Sequence, residues 1–127
     1  MTAWQPLLDR ARTTLEEARV LLESSHPLGA ADRCYYAMFY AATALLQSRG
    51  LEPTSHRALL ASFGKEMVKG GAVDPRYHRM LLDAFDLRQT ADYDIRADVD
   101  QATAREAYAA AEDFVAMAEA LLDRLTG

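Results

Sequence analysis

Ala30-Ala31-Asp32-Arg33-Cys34-Tyr35-Tyr36-Ala37-Met38-Phe39-Tyr40-Ala41-Ala42-Thr43-Ala44-Leu45-Leu46 is the stretch that decides how this chain folds. Read at helical period it carries two adjacent apolar stripes. One runs Ala31, Cys34, Met38, Ala41 and Leu45, the other Tyr35, Phe39, Ala42 and Leu46. Only a narrow strip of Asp32, Tyr36, Tyr40, Thr43 and Gln47 is more polar. An ordinary surface helix buries one stripe about 100° wide. This one needs cover over most of its circumference, which places it at the centre of the molecule. Ala37, Ala41, Ala42 and Ala44 permit close approach by neighbouring helices. Tyr36 and Tyr40 bring hydroxyls, and a buried tyrosine hydroxyl needs a partner.

Working outward, a helix is expected over residues 6–25, with Leu7, Leu8, Ala11, Leu15, Ala18 and Leu22 on one stripe and Pro6 in the first turn. His26-Pro27-Leu28-Gly29 reads as a break, so the central helix spans about 29–49 and stops at Gly50. Ser55 can cap a shorter helix over 56–69 that buries Leu59, Leu60, Phe63 and Met67. Gly64 inside it costs up to ~1 kcal/mol relative to alanine, which points to a close contact there. Gly70-Gly71 ends that helix.

Asp74-Pro75 opens a fourth helix that runs to about 92, with Met80, Leu81, Ala84, Phe85 and Leu87 inward. After a polar link over 93–97, Asp98 and Gln101 fit a capping box for a last helix over 99–125. Its stripe is Ala107, Ala110, Phe114, Met117, Leu121 and Leu125. No segment alternates as a strand would. The expected fold is all-α, an antiparallel helical bundle of four long helices plus one shorter helix, as a single domain over residues 1–127.

With 127 residues, half of them hydrophobic, the chain can bury roughly two thirds of its unfolded surface without a disulfide or metal. Cys34 is the only cysteine and reads as a small core residue. No signal peptide is recognisable, and no apolar run approaches the ~20 residues of a membrane span. A cytoplasmic protein is expected.

The formal net charge of −5 argues against a general nucleic-acid coat protein, whose affinity comes from neutralising phosphates. The charge is uneven. Residues 49–96 carry eight Lys and Arg against seven Asp and Glu, whereas residues 97–127 carry two against seven. The middle third leaves room for a local basic surface.

His26, His56 and His78 are far apart, and none pairs with another at helical spacing. There is no glycine-rich phosphate loop and no nucleophile elbow, so neither metal nor cofactor is expected. The most suggestive polar run is Arg88-Gln89-Thr90-Ala91-Asp92-Tyr93-Asp94. Leu81, Phe85 and Arg88 share a stripe, which sets Arg88 at the edge of the buried face with Asp92 one turn on. The plainer reading is a half-buried ion pair that fixes the helix end. The functional one is an arginine presented at a groove to a phosphate or a transition-state anion. His56, first in its helix, sits at the positive end of the helix dipole, which disfavours protonation and leaves an imidazole able to accept a proton.

Asp32-Arg33-Cys34-Tyr35-Tyr36-Ala37-Met38-Phe39-Tyr40-Ala41-Ala42 resembles the S-R-x-Y-Y-A-x-F-x-A-A helix of prokaryotic HEPN-domain proteins, with Asp32 where serine is common. The resemblance continues through Gly50-Leu51, Ser55-His56, Phe63-Gly64-Lys65-Glu66 and Val68-Lys69-Gly70-Gly71, and ends at Phe85-Asp86-Leu87-Arg88-Gln89-Thr90-Ala91-Asp92-Tyr93. It covers roughly residues 6–125 and looks closest to the small stand-alone branch with an R-x-x-A-D-Y ending.

The resemblance implies a dimeric helical bundle, often paired with a minimal nucleotidyltransferase in a two-component toxin–antitoxin system. Active members are metal-independent ribonucleases whose signature is arginine, four to six residues, then histidine. After Arg88 the histidine positions hold Tyr93, Asp94 and Ile95. What carries over is Arg88, with Asp92 and Tyr93 as this branch's variant, at a surface facing RNA or a nucleotide. Tyr36 and Tyr40 join the binding candidates. Tyr93 is also a candidate for modification, since some family pairs modify a tyrosine just after the signature. The alternatives are a ribonuclease using Arg88 with His56 as base, and a non-enzymatic dimeric scaffold.

Overall fold

The computed structural model describes residues 2–93 and 98–126. The elements in order are α1 (Gln5–Glu23), α2 (Pro27–Gln47), α3 (His56–Ser62) continued by a π-helical turn (Phe63–Val68), α4 (Pro75–Tyr93) and α5 (Gln101–Thr126). This is the expected all-α antiparallel bundle, with no strand among the described residues. Every other element packs against α2. Both of its stripes are covered: Ala31, Cys34, Tyr35, Met38, Ala41, Ala42, Leu45 and Leu46 are buried, whereas Phe39 is only partly so. Tyr36, Tyr40 and Thr43 keep partial exposure on the polar strip. The cover comes from the chain's own helices, so the apolar girth of α2 no longer argues for a second copy.

The end of α2 shows how the sequence steers the chain. Gly50 takes φ +77°, Leu51 N–H donates to Leu46 O at 3.0 Å and Gly50 N–H to Gln47 O at 2.9 Å. This paired capping by a left-handed glycine turns the chain sharply. Ser55 Oγ then accepts from Ala58 N–H at 3.0 Å and starts α3 as expected.

Four local readings are corrected. The break expected at His26-Pro27-Leu28-Gly29 lies at 24–26 instead, because Pro27 already occupies the first position of α2, where its missing N–H is harmless. The cap of α5 is Asp100, whose Oδ1 accepts Thr103 N–H at 2.7 Å, and not Asp98. Gln101 instead donates from Nε2 to Leu22 O at 2.7 Å and ties the start of α5 to the end of α1. The fully covered stripe of α5 runs through Ala104, Ala111, Phe114, Val115, Ala118 and Leu122. Ala107, Ala110, Met117 and Leu121 are half-buried shoulders, and Leu125 is 63% exposed. Of the expected link over 93–97, Tyr93 is the last helical residue of α4, and 94–97 lie outside the described residues.

The close contact expected at Gly64 is present. A Cβ there would lie 2.7 Å from His78 Cε1 and 2.9 Å from His78 Nε2. The ring of His78 donates to Leu60 O at 3.0 Å, and Arg49 donates to Glu66 O at 3.1 Å. One carbonyl in the last turn of α3 and one inside the π turn are therefore taken by side chains from elsewhere in the fold.

Candidate functional site

Three elements converge beside the N-terminal half of α2. α2 itself supplies Asp32, Tyr35 and Tyr36 on neighbouring faces. The turn at Gly50 and the Ser55 cap return the chain so that His56 packs against that surface. Buried Leu81 and Phe85 dock α4, and Arg88 follows Phe85 by one turn. Phe85 lies 5.7 Å from the Tyr35 ring and 6.2 Å from the His56 ring, centroid to centroid.

Arg88 is held from several sides. Its Nε donates to Asp32 Oδ1 at 3.2 Å, and its NH2 lies 3.3 Å from Asp92 Oδ2. The guanidinium carbon sits 4.9 Å from the Tyr36 ring centre and 5.7 Å from that of Tyr35. Arg33 lies 5.0 Å from the Tyr36 ring centre and bonds Asp32 Oδ2 at 3.1 Å, with Glu17 at 3.7 Å. The Arg88 side chain remains 22% exposed. Burial opposes its charge, but Tyr36, Asp92 and Asp32 outweigh that and raise its pKa, so it stays a cation.

His56 packs on Phe39 at 4.7 Å and near Tyr35 and Tyr36 at 5.7 and 6.1 Å, and its Nδ1 is hydrogen-bonded to Tyr35 Oη at 2.6 Å. Its pKa is lowered, first by burial and then by the charge of Arg88. The direction matches the expectation from the helix start, but the causes are burial and the arginine. Burial also pushes the Tyr35 hydroxyl upward, against the pull of Arg88.

The structure thus brings Arg88, His56, Asp92 and Tyr36 to one patch around Tyr35. Tyr40 sits at its margin, 6.1 Å from Tyr36, and carries Arg10 over its ring at 5.2 Å. The Tyr93 side chain lies outside the described residues. Two residues of the patch escape sequence reasoning as site residues. Tyr35 lies on an apolar stripe, although its hydroxyl signals that a polar partner must exist. Asp32 stands out in the sequence only as a departure from serine.

A separate apolar groove of about 340 Å³ opens between α4 and α5, floored by Met38 and flanked by Met80, Ala84, Leu87 and Ala107. Among the described residues no group of three or more His, Cys, Asp or Glu is placed to hold a metal ion. Nor is any helix among them long and apolar enough to cross a membrane.

Comparison with known proteins places the chain in a family without addressing these site residues. A Thermotoga maritima protein named UPF0332 protein is 34% identical over 116 residues, 91% of this chain and 88% of its own length. Two Methanocaldococcus jannaschii proteins carry the name "Putative toxin". One is 33% identical over 95% of this chain and 84% of its own length, the other 34% identical over 75% and 65%. The profile of the HEPN domain matches residues 4–121, and this chain belongs to the HEPN domain family.

Proposed function

We propose that this chain is the HEPN component of a cytoplasmic two-component system of the toxin–antitoxin kind, acting as one helical domain with a nucleotidyltransferase partner. In this reading the patch around Arg88 faces RNA or a nucleotide. The observation that carries it is the presentation of Arg88: a charged planar guanidinium, partly exposed, stacked on Tyr36 and oriented by Asp32 and Asp92. Such a fork suits phosphate oxygens, and the tyrosine rings suit a base. The names of the two archaeal relatives support the toxin-like role. A homodimer belongs to the same proposal, supported by the family resemblance and by the open apolar groove between α4 and α5.

Co-expression with the product of the neighbouring open reading frame tests the partner. A nucleotidyltransferase that co-purifies supports the proposal, and its absence from both gene neighbourhood and pull-down removes it. Mass spectrometry of the co-expressed chain tests Tyr93, where an added nucleotide is expected. Sedimentation at micromolar concentration tests the dimer.

One observation favours a second reading, metal-independent RNA cleavage: His56 and Arg88 meet at the same two rings, Tyr35 and Tyr36. That reading requires EDTA-resistant cleavage lost in both His56→Ala and Arg88→Ala. A third, in which the Arg88 pairs only fix the fold, requires that Arg88→Ala leave RNA and nucleotide binding unchanged.

A further inference from the structure

We propose that Tyr35 locks His56 in the neutral tautomer that carries its ring proton on Nε2, so that His56 meets a ligand as a hydrogen-bond donor. Tyr35 is then a positioning residue for His56. The matching ligand group is a phosphoryl oxygen, shared between Arg88 and the imidazole. This ligand half rests on the reading of the Arg88 patch given above, whereas the tautomer half stands without it.

The tautomer follows from counting protons. Tyr35 is fully buried, and among the described residues its hydroxyl has one hydrogen-bond partner, His56 Nδ1 at 2.6 Å. A neutral imidazole has one donor nitrogen and one acceptor nitrogen. If Nδ1 carried the proton, it would donate to Tyr35 Oη and the phenolic hydrogen would be left buried without an acceptor. Leaving a buried donor unmade is the costly outcome. If the phenol donates, Nδ1 accepts and both groups are satisfied. The ring proton then sits on Nε2.

The surroundings hold the pair in that state. From α2 the ring faces Tyr35, Tyr36 and Phe39, and from α4 it faces Phe85 and Arg88. Among the described residues the charged group acting on it is a cation, Arg88, which works against an imidazolium. Burial keeps the Tyr35 hydroxyl protonated. Nε2 makes no hydrogen bond to the described residues, and in this proposal its N–H is the group that meets water or a ligand. The nitrogen that could have taken a proton from a substrate is the one Tyr35 occupies.

Ring-nitrogen NMR on the ¹⁵N-labelled protein reads this directly, with His56→Gln assigning the signals. The wild type is expected to show, near neutral pH, a pyridine-like Nδ1 and a pyrrole-like Nε2 for His56. In Tyr35→Phe the single tautomer should give way to a mixture, and the His56 titration midpoint should rise, because the donor that favours the neutral ring is gone. A wild-type ring protonated on Nδ1 overturns the lock, and that measurement needs no variant to fold.

Titration with inorganic phosphate and with a short RNA oligonucleotide tests the ligand half. A shift of the Nε2–H signal with both, lost in Arg88→Ala, supports a phosphoryl group from either source, and a shift with the oligonucleotide alone assigns the RNA backbone. A locked tautomer that responds to neither overturns the donor role together with the reading of the patch. A ring protonated on Nδ1 that still responds overturns the lock alone.

Discussion

Replacing Arg88 by alanine separates a residue that works on a ligand from one that only braces the fold. The substitution removes the 3.2 Å bond to Asp32, the 3.3 Å pair with Asp92 and the stacking over Tyr36 and Tyr35. Asp32 and Asp92 are 33% and 41% exposed, so solvent screens both pairs. Screened pairs of this kind contribute about 0.2–1 kcal/mol each, and the cation over a ring about 0.5–1 kcal/mol. Asp32 keeps Arg33 after the change. The total loss comes to about 1–3 kcal/mol, or about 3–15 °C in melting temperature for a domain of this size. A domain of ordinary stability, about 5–15 kcal/mol, stays folded after such a loss. Urea unfolding followed by circular dichroism measures the stability, and fluorescence anisotropy with a labelled RNA oligonucleotide measures binding at 25 °C. The expected result is a folded variant whose affinity falls at least about tenfold, the loss of a charged hydrogen bond worth about 1.4 kcal/mol or more. Arg88→Lys should recover only part of it, because lysine lacks the planar fork. A stability loss above about 4 kcal/mol with binding reduced only in proportion to the unfolded fraction would refute the reasoning, since that range belongs to residues whose loss breaks a core.

Three more outcomes are expected. Gly64→Ala should destabilise by about 1–3 kcal/mol despite alanine's better helix propensity, because the new Cβ meets the His78 ring at 2.7 Å; a rise in melting temperature would contradict this. Asp32→Ser should tighten phosphate or RNA binding by releasing one edge of Arg88, at a stability cost below about 1 kcal/mol, and unchanged or weaker affinity in the same anisotropy assay would show that Asp32 does not compete with the ligand. His56 has a folded pKa below its unfolded value of 6.5, so the unfolded chain binds the proton first. Its contribution to stability is therefore complete above pH 6.5 and falls as the pH drops through the folded pKa, and His56→Gln should flatten that part of the stability profile.

What could be read from the sequence was what local period controls. The near-complete burial of α2 followed from two full stripes, and the positions of Gly50, Ser55 and Gly64 followed from backbone chemistry. The register of α5 did not, because alanines at 102, 104, 107, 109, 110, 111, 116 and 118 fit more than one stripe, and large side chains on α1 and α2 choose between them. The spacing of Asp98 to Gln101 points to Asp98 as the cap, but Gln101 finds its partner in Leu22 O and Asp100 caps the helix. The patch was half visible. Arg88 and Asp92 are one turn apart, but Asp32 lies 56 residues from Arg88 and Tyr35 lies 21 from His56. Only the packing of α3 and α4 on α2 brings those pairs together.

The central placement of α2 also bears on how the molecule can open. Because every other element leans on this one helix, none can detach without uncovering residues such as Tyr35, Met38 or Leu45. Amide hydrogens in the middle of α2 are then released to exchange only when the whole bundle comes apart, whereas the ends of α1 and α5 fray independently. Among the described residues no element can lift away as a lid, so on the proposed reading of the Arg88 patch a restraint would have to come from outside, by covering that surface.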